Sequence, residues 1–330
     1  MKITTQTIRR IPARLKRLLL SGGDKSPQVS FRPGNETSSG WLKYIDNPVL
    51  GGKYGTCFDA SVLKNSDRIL LYFSWRPEKS IALVKSTDGI HWSEPVKVLT
   101  PQESSSWELD LNRPSVLYLN DTFHLWYTGQ NETSSAIGYA TSSDGISFTR
   151  FQDNPVMIPD NKWELDNVMC PDVSWDSKEG HFRMWYSAGE KYEPNAIGYA
   201  TSPDGVIWQK YSSNPIFQPD KDETWEMHKV TACNVVQHDG YYYMFYIGFS
   251  DEHNAQIGIA RSRNGMDGWE RHPNNPVIRQ GRASNSWDYH AVYKPTVLKT
   301  DQGWSLWYNG RCNDMEQIGL ATHSGDSLWV

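Results

Sequence analysis

Polar and apolar residues alternate in short runs along most of this chain, and the runs recur in sets. A mostly apolar stretch (Ser61-Val-Leu, Ser115-Val-Leu, Asp172-Val-Ser, Asn234-Val-Val, Thr296-Val-Leu) is followed by an aromatic one (Leu71-Tyr-Phe, Leu125-Trp-Tyr, Met184-Trp-Tyr, Met244-Phe-Tyr, Leu306-Trp-Tyr). The next segment is clearest at Ile137-Gly-Tyr-Ala-Thr-Ser-Ser-Asp-Gly and Ile197-Gly-Tyr-Ala-Thr-Ser-Pro-Asp-Gly, with weaker copies from Ile81, Ile257 and Ile318. Short apolar runs separated by turn dipeptides predict strands rather than helices. Asp-Gly at 88–89, 144–145 and 204–205, and Asn264-Gly265, are the pairs that favour tight hairpins, because both residue types tolerate positive φ. A fourth run closes with Asn-Pro-Val or Asn-Pro-Ile at 154–156, 214–216 and 275–277.

Five copies of a four-stranded unit, none able to bury both faces alone, predict an all-β fold: a five-bladed β-propeller. Residues 41–330 average 58 per unit. The last copy stops at Leu328-Trp329-Val330 before any fourth strand, while Tyr44-Ile-Asp-Asn-Pro-Val-Leu matches Phe151-Gln-Asp-Asn-Pro-Val-Met. The N-terminal strand is therefore expected to complete the last blade and seal the ring. The expected organisation is a basic tail and linker at 1–40 and a propeller catalytic domain at 41–330.

Composition sharpens this picture. Fifteen Trp, 17 Tyr and 10 Phe make 13% of the chain aromatic, which excludes disorder. No run approaches the roughly 18 apolar residues of a membrane span. Six of the 33 Lys and Arg residues precede Asp24, so 27 face 38 acidic residues in the remainder, or −11. An acidic body disfavours nucleic-acid binding. In the tail, Ile8, Ile11, Leu15 and Leu18 keep helical spacing opposite arginines. That pattern leaves two readings, a frayed tail or a short helix making peripheral membrane contact through residues 1–20. The apolar run there is too short for a signal peptide, and Ser21–Ser39 reads as a linker. Cys57, Cys170, Cys233 and Cys312 are scattered with no metal-ligand spacing, so free thiols in a cytoplasmic protein are expected, with no metal and no cofactor. The sequons at Asn35, Asn120 and Asn131 carry little weight without a secretion signal.

In a propeller the innermost strand of each blade lines the central channel, where a site can assemble. Aligning the units puts Asp59, Arg113, Cys170, Ala232 and Lys294 in one column. Structural residues should repeat between blades, so the residues that break this column are functional candidates. Upstream, Trp-acid pairs recur at 107–108, 163–164, 225–226 and 287–288, a regularity that points to packing between blades. The position two beyond the acid varies as Asp110, Asp166, His228 and His290, which suits a polar ring at the mouth. Asp59, Asp110 and Asp166 are the candidate catalytic acids. Arg76, Arg113, Glu164, Asp172, His228, Lys229, His290, Lys294 and Arg311 are the candidate substrate contacts. Carboxylates beside cations and aromatics suit glycosyl chemistry, in which one carboxyl group handles the leaving oxygen and another the water or acceptor.

With the M/L-W-Y-x-G strand, the I-G-Y-A-T-S-x-D-G strand-turn and the N-P-V closing strand, the chain resembles the five-bladed β-propeller glycosidases. These include the family 43 β-xylosidases and arabinanases, the invertases and levansucrases, and the family 130 mannoside phosphorylases. The resemblance implies catalytic carboxylates on the inner strands of the first three blades. The blade 1 base or nucleophile falls on Asp59 of Phe58-Asp59-Ala60. The blade 2 Asp falls on Arg113 of Arg113-Pro114-Ser115, and the blade 3 acid falls on Met169 of Met169-Cys170-Pro171-Asp172. One of three positions is kept. The expected function is thus a carbohydrate-active, glycoside hydrolase-like enzyme acting on an oligosaccharide, glycoside or nucleotide-sugar substrate. The alternatives are a cytoplasmic glycosyltransferase or glycoside phosphorylase of surface-glycan metabolism, or a non-catalytic glycan-binding propeller. The cationic mouth inside an acidic protein favours a phosphate, a nucleotide-sugar or an acidic sugar.

Overall fold

The inner strands that the sequence places around a channel are Cys57–Asn65, Asp110–Leu119, Val168–Asp176, Lys229–His238 and Ala291–Thr300. They come from a computed structural model that describes residues 31–32, 36–102, 104–191 and 194–329. Each inner strand begins an antiparallel sheet that continues outward through an aromatic strand (Arg68–Trp75 in blade 1, Thr122–Gln130 in blade 2) and a third strand (Ser80–Ser86, Ser135–Ser142) to a short outer one. The architecture is a five-bladed β-propeller, with no α-helix among the described residues. The fifth sheet is closed by Trp41–Tyr44, which pairs antiparallel with Met315–His323 through Trp41↔His323 and Lys43↔Ala321. The two ends of the chain therefore share one blade, as the spare N-terminal strand predicts. The basic segment 1–20 and most of Ser21–Ser39 lie outside the described residues.

Neighbouring blades are joined through the aromatic strand. At four of the five junctions an aromatic side chain donates to the glycine carbonyl of the next blade's Asp-Gly or Asn-Gly turn. Tyr72 Oη reaches Gly145 O at 2.8 Å, Trp126 Nε1 reaches Gly205 O at 2.8 Å, Trp185 Nε1 reaches Gly265 O at 2.8 Å, and Trp307 Nε1 reaches Gly89 O at 2.9 Å. Blade 4 carries Phe245 here, which has no donor and instead meets Trp41 edge-on at 5.7 Å. The turn glycines have φ between 72° and 80°, a region where an L side chain is strained, so the glycine is required rather than merely favoured.

The tryptophans of the Trp-acid pairs pack against clusters drawn from two adjacent blades, as the regularity implied, while the acids bond within their own blade. A Cβ on Gly129 would lie 2.2 Å from Trp107, so the indole rests on glycine backbone that offers a flat floor. The acid that follows is buried and accepts from a tyrosine hydroxyl of the aromatic strand: Glu108 from Tyr127, Glu164 from Tyr186 and Asp288 from Tyr308, with Tyr246 donating to Glu226 likewise. A cation on the outer strand neutralises each acid. Arg150 lies 2.9 Å from Glu108, Lys210 2.7 Å from Glu164, Arg271 2.5 Å from Glu226, and Lys43 2.6 Å from Asp288. Buried acids held this way clasp the first, second and fourth strands of a blade together. Blade 1 has Phe73 in place of the tyrosine and lacks the clasp. Cys57, Cys170 and Cys233 are buried free thiols, and Cys312 is part-exposed.

Candidate active site

Every inner strand carries the same break in its ladder. Pairing with the second strand slips between Phe58 and Ser61, Asn112 and Ser115, Met169 and Asp172, Thr231 and Asn234, and Tyr293 and Thr296. The first residue inside each slip has positive φ: Asp59 52°, Arg113 54°, Cys170 53°, Ala232 35° and Lys294 47°. These are the five residues of the column aligned by sequence, so the column corresponds to one strained structural position. A bulge bends the strand and re-aims the extra side chain, here toward the channel. The strain is held from the neighbouring blade. Asn309, Ser74, Thr128 and Ser187 accept the backbone N–H of Asp59, Arg113, Cys170 and Ala232 at 2.8–3.0 Å.

Three residues further on, a second ring fixes the blades. Thr296, Ser61, Ser115, Asp172 and Asn234 accept the N–H of Val62, Val116, Val173, Val235 and Val297, each across a blade boundary. Asp172 therefore sits in the channel wall rather than among substrate contacts. Its carboxylate also accepts Asn234 Nδ2 at 2.8 Å. Burial pushes its pKa up, with the charge of Lys294 opposing.

Above this ring the bulge residues open into a cavity of about 210 Å³. Asp59, Arg76, Arg113, Cys170, Lys294 and Arg311 all line it, together with Tyr293 and Glu316. Asp59 is 4% exposed, accepts Asn309 Nδ2 at 2.8 Å, and lies 3.5 Å from Arg113 Nε. Arg113 is held in turn by Asn112 Oδ1 at 2.7 Å. Glu316 lies 3.2 Å from Arg76 and accepts the Tyr293 hydroxyl. Burial, then the Glu316 charge, pushes the Tyr293 phenol well above its usual range, so it stays a proton-bearing donor. Lys294 is 4% exposed and forms no ion pair among the described residues. The cavity thus gathers four cationic side chains around two carboxylates.

Seven other candidates lie outside this cavity. Asp110 is part-exposed at the start of its strand, and Asp166 is exposed. Glu164 is fully buried with its oxygens taken by Tyr186, Lys210 and the N–H groups of Asp160 and Asn161. Lys229 pairs with Glu190 at 2.5 Å, His228 is part-buried beside it, and His290 borders a separate cavity. Sequence reasoning missed Glu316 and Tyr293. The signal for Glu316 existed: where the copies at Ile137, Ile197 and Ile257 carry Ser135, Asn195 and Ala255, the last copy carries a glutamate. The rule that functional residues break the repeat applies to the third strand as well as the first. Among the described residues, a His and acid group spaced for a metal (His238, Asp239, Asp326) lies at the far ends of the strands, and Lys299 already pairs with Asp326 there.

Comparison with known proteins gives the chain a family. The family model described as "Glycosyl hydrolases family 43" matches residues 45–323. A 1,2-beta-oligomannan phosphorylase of Thermoanaerobacter sp. (strain X514) is 27% identical over 224 residues, covering 64% of this chain and 68% of that one. An uncharacterized protein of Mycobacterium tuberculosis is 28% identical over 220 residues, covering 63% and 69%. The solved structure of a thermostable family-43 glycoside hydrolase superposes with a TM-score of 0.67 at 17% identity, covering 83% and 95%, a likeness of fold.

Proposed function

Because the chain belongs to glycosyl hydrolase family 43, and so is a glycosidase-like enzyme acting on a glycoside or oligosaccharide, we propose that its cavity cleaves the glycosidic bond by phosphorolysis. One observation carries this reading: a single cavity holds Arg76, Arg113, Lys294 and Arg311, while one of its two carboxylates, Glu316, is engaged by Arg76 and Tyr293. Water is a weak nucleophile and needs a carboxylate base. Phosphate already carries negative charge and needs cations instead. Asp59, which the resemblance carries over as base or nucleophile, is not needed in that role when phosphate attacks, and serves as general acid instead. Its proton goes to the leaving glycosidic oxygen as the bond to the anomeric carbon breaks. A phosphate oxygen forms the new bond to that carbon, giving a glycosyl phosphate and a shortened glycan, and Asp59 is reprotonated from solvent. Lys294 and Arg311 hold the phosphate, while Arg113 lies beside Asp59, its Nε 3.5 Å from the carboxyl group. A cavity of about 210 Å³ suits one sugar ring with its phosphate better than a long chain.

A second reading is hydrolysis by Asp59 and Glu316 as paired carboxylates, favoured by their opening into the same cavity. The test is product analysis on oligomannosides and nitrophenyl glycosides, with and without inorganic phosphate, alongside a nucleotide-sugar donor. Phosphate-dependent release of a glycosyl phosphate is expected. Equal release of free sugar with and without phosphate would overturn phosphorolysis in favour of the paired-carboxylate mechanism.

A further inference from the structure

A second cavity, of about 470 Å³, lies between blades 4 and 5 and is lined by Asn254, Gln256, Arg279, Gln280, Arg282 and Tyr289, with His290 at its edge. It borders the first. His290 donates its backbone N–H to the Arg311 carbonyl at 2.9 Å, and the Arg311 side chain reaches His253 O at 3.4 Å. One wall thus faces the active cavity through Arg311 and the second cavity through His290. The volume falls within the about 300–1,000 Å³ of small-molecule sites.

Its electrostatics are uncompensated. Arg279 and Arg282 form no ion pair among the described residues, and both open into the cavity. The acids that could neutralise them are already engaged. Lys43 takes Asp288 at 2.6 Å and Glu36 at 3.3 Å, and the remaining Glu36 oxygen accepts the backbone N–H of Arg282 at 3.2 Å. Partial burial of Arg279, and then the like charge of Arg282, disfavour its charged form, which is the signature of two guanidinium groups facing one space. In a chain whose body is acidic, this is a local reversal of sign. The other linings suit a sugar: Tyr289 is 38% exposed, and three side-chain amides offer donors and acceptors for hydroxyl groups.

We propose that this cavity is a distal subsite for an anionic group, a carboxylate or phosphate ester, carried by a sugar of the glycan that enters the neighbouring active cavity. Arg279 and Arg282 pair with the anion, while Tyr289 and the amides hold the ring. The substrate class is then an acidic or phosphorylated oligosaccharide rather than a neutral one. The proposal rests on the first cavity being glycan-binding, but its test reads binding rather than turnover.

Glucuronic acid, glucose 6-phosphate, glucose and inorganic phosphate are titrated into the full chain by calorimetry and ligand-observed NMR. At least one charged sugar should bind, and glucose should bind about tenfold more weakly or worse. Preference for glucuronic acid indicates a carboxylated glycan, and preference for glucose 6-phosphate a phosphorylated one. The double variant Arg279→Gln/Arg282→Gln should lose that preference, while Arg113→Gln in the active cavity keeps it. The exposed Arg282→Gln alone serves should the double variant not fold. Equal affinity for charged sugars and glucose, binding of inorganic phosphate but of neither charged sugar, or loss of the preference in Arg113→Gln instead, would each overturn the proposal.

Discussion

Asn309 holds Asp59 by both of its polar atoms: Nδ2 donates to the carboxylate at 2.8 Å, and Oδ1 accepts the Asp59 backbone N–H at 2.9 Å. The two residues sit on different blades, 5 and 1, so the joint that closes the ring also aims the candidate acid. At the equivalent joints Ser74, Thr128 and Ser187 hold only the backbone. Asn309→Ser should therefore keep the bulge and lose the carboxylate contact. The expected result is a kcat reduced about tenfold, equivalent to about 1.4 kcal/mol, with the urea midpoint nearly unchanged. Asn309→Ala removes both contacts and should also lose about 1–3 kcal/mol of stability. Equal activity in Asn309→Ser and the parent would deny Asn309 a positioning role.

Removing the acid itself is the sharper test. Asp59→Asn should lower kcat by about 10²–10⁴, the range of general acid catalysis. Asp110→Asn and Asp166→Asn change groups outside the cavity and should leave kcat close to that of the parent. A loss in either of them comparable to that of Asp59→Asn would move the catalytic acid away from the bulge column.

The acid–tyrosine–cation clasps make a prediction about stability rather than activity. Lys210→Met leaves Glu164, which is 0% exposed, without its ammonium partner. Breaking one side of a buried pair costs about 3–5 kcal/mol. The exposed pair Lys53–Glu94 is the control, and Lys53→Met should leave the urea midpoint unchanged. Equal effects of the two substitutions would show that the clasp does not hold the blade together.

Acid sensitivity should come from the turn aspartates. The Asp144 carboxyl is held below its usual range by the N–H groups of Ser147 and Ile146 and the Ser142 hydroxyl. At Asp88 and Asp204 burial acts in the opposite direction and is outweighed. His91 and its backbone lead at Asp88, and the N–H groups of Ile207 and Val206 at Asp204. A pKa depressed by folding gives stability that is present above the unfolded value near pH 4 and is lost as the pH falls toward the folded one. Blade 4 already carries Asn264, whose side-chain oxygen accepts the N–H of Met266 and Asp267 without titrating. The triple variant Asp88→Asn/Asp144→Asn/Asp204→Asn should keep the turns and flatten the fall of Tm between neutral pH and about pH 2. An unchanged pH dependence would assign acid unfolding to other carboxylates.

The fold was legible because its information is local and repeated. The Asp-Gly turns, the Trp-Tyr strands and the spare Tyr44-Ile-Asp-Asn-Pro-Val-Leu each constrain a short stretch of chain. Five near-copies of one pattern admit few architectures other than a ring closed on its own ends. The column Asp59, Arg113, Cys170, Ala232 and Lys294 was legible for the same reason, since alignment of repeats puts equivalent bulges in register.

What surrounds Asp59 was decided by the tertiary structure. Glu316 and Tyr293 belong to blade 5 and meet the blade 1 aspartate only because the ring closes. Asp110, at the first residue of an inner strand, and Glu164, just before another, are carried elsewhere: one stays at the strand's start, the other goes into a buried clasp. A sequence states which side chains differ between repeats. It does not state which way a bulged strand aims them, nor whether a buried acid already has a tyrosine and a cation as partners. Repetition along the chain set the scaffold, and contacts between residues more than 200 positions apart, Asn309 with Asp59 and Arg76 with Glu316, set the chemistry of the cavity.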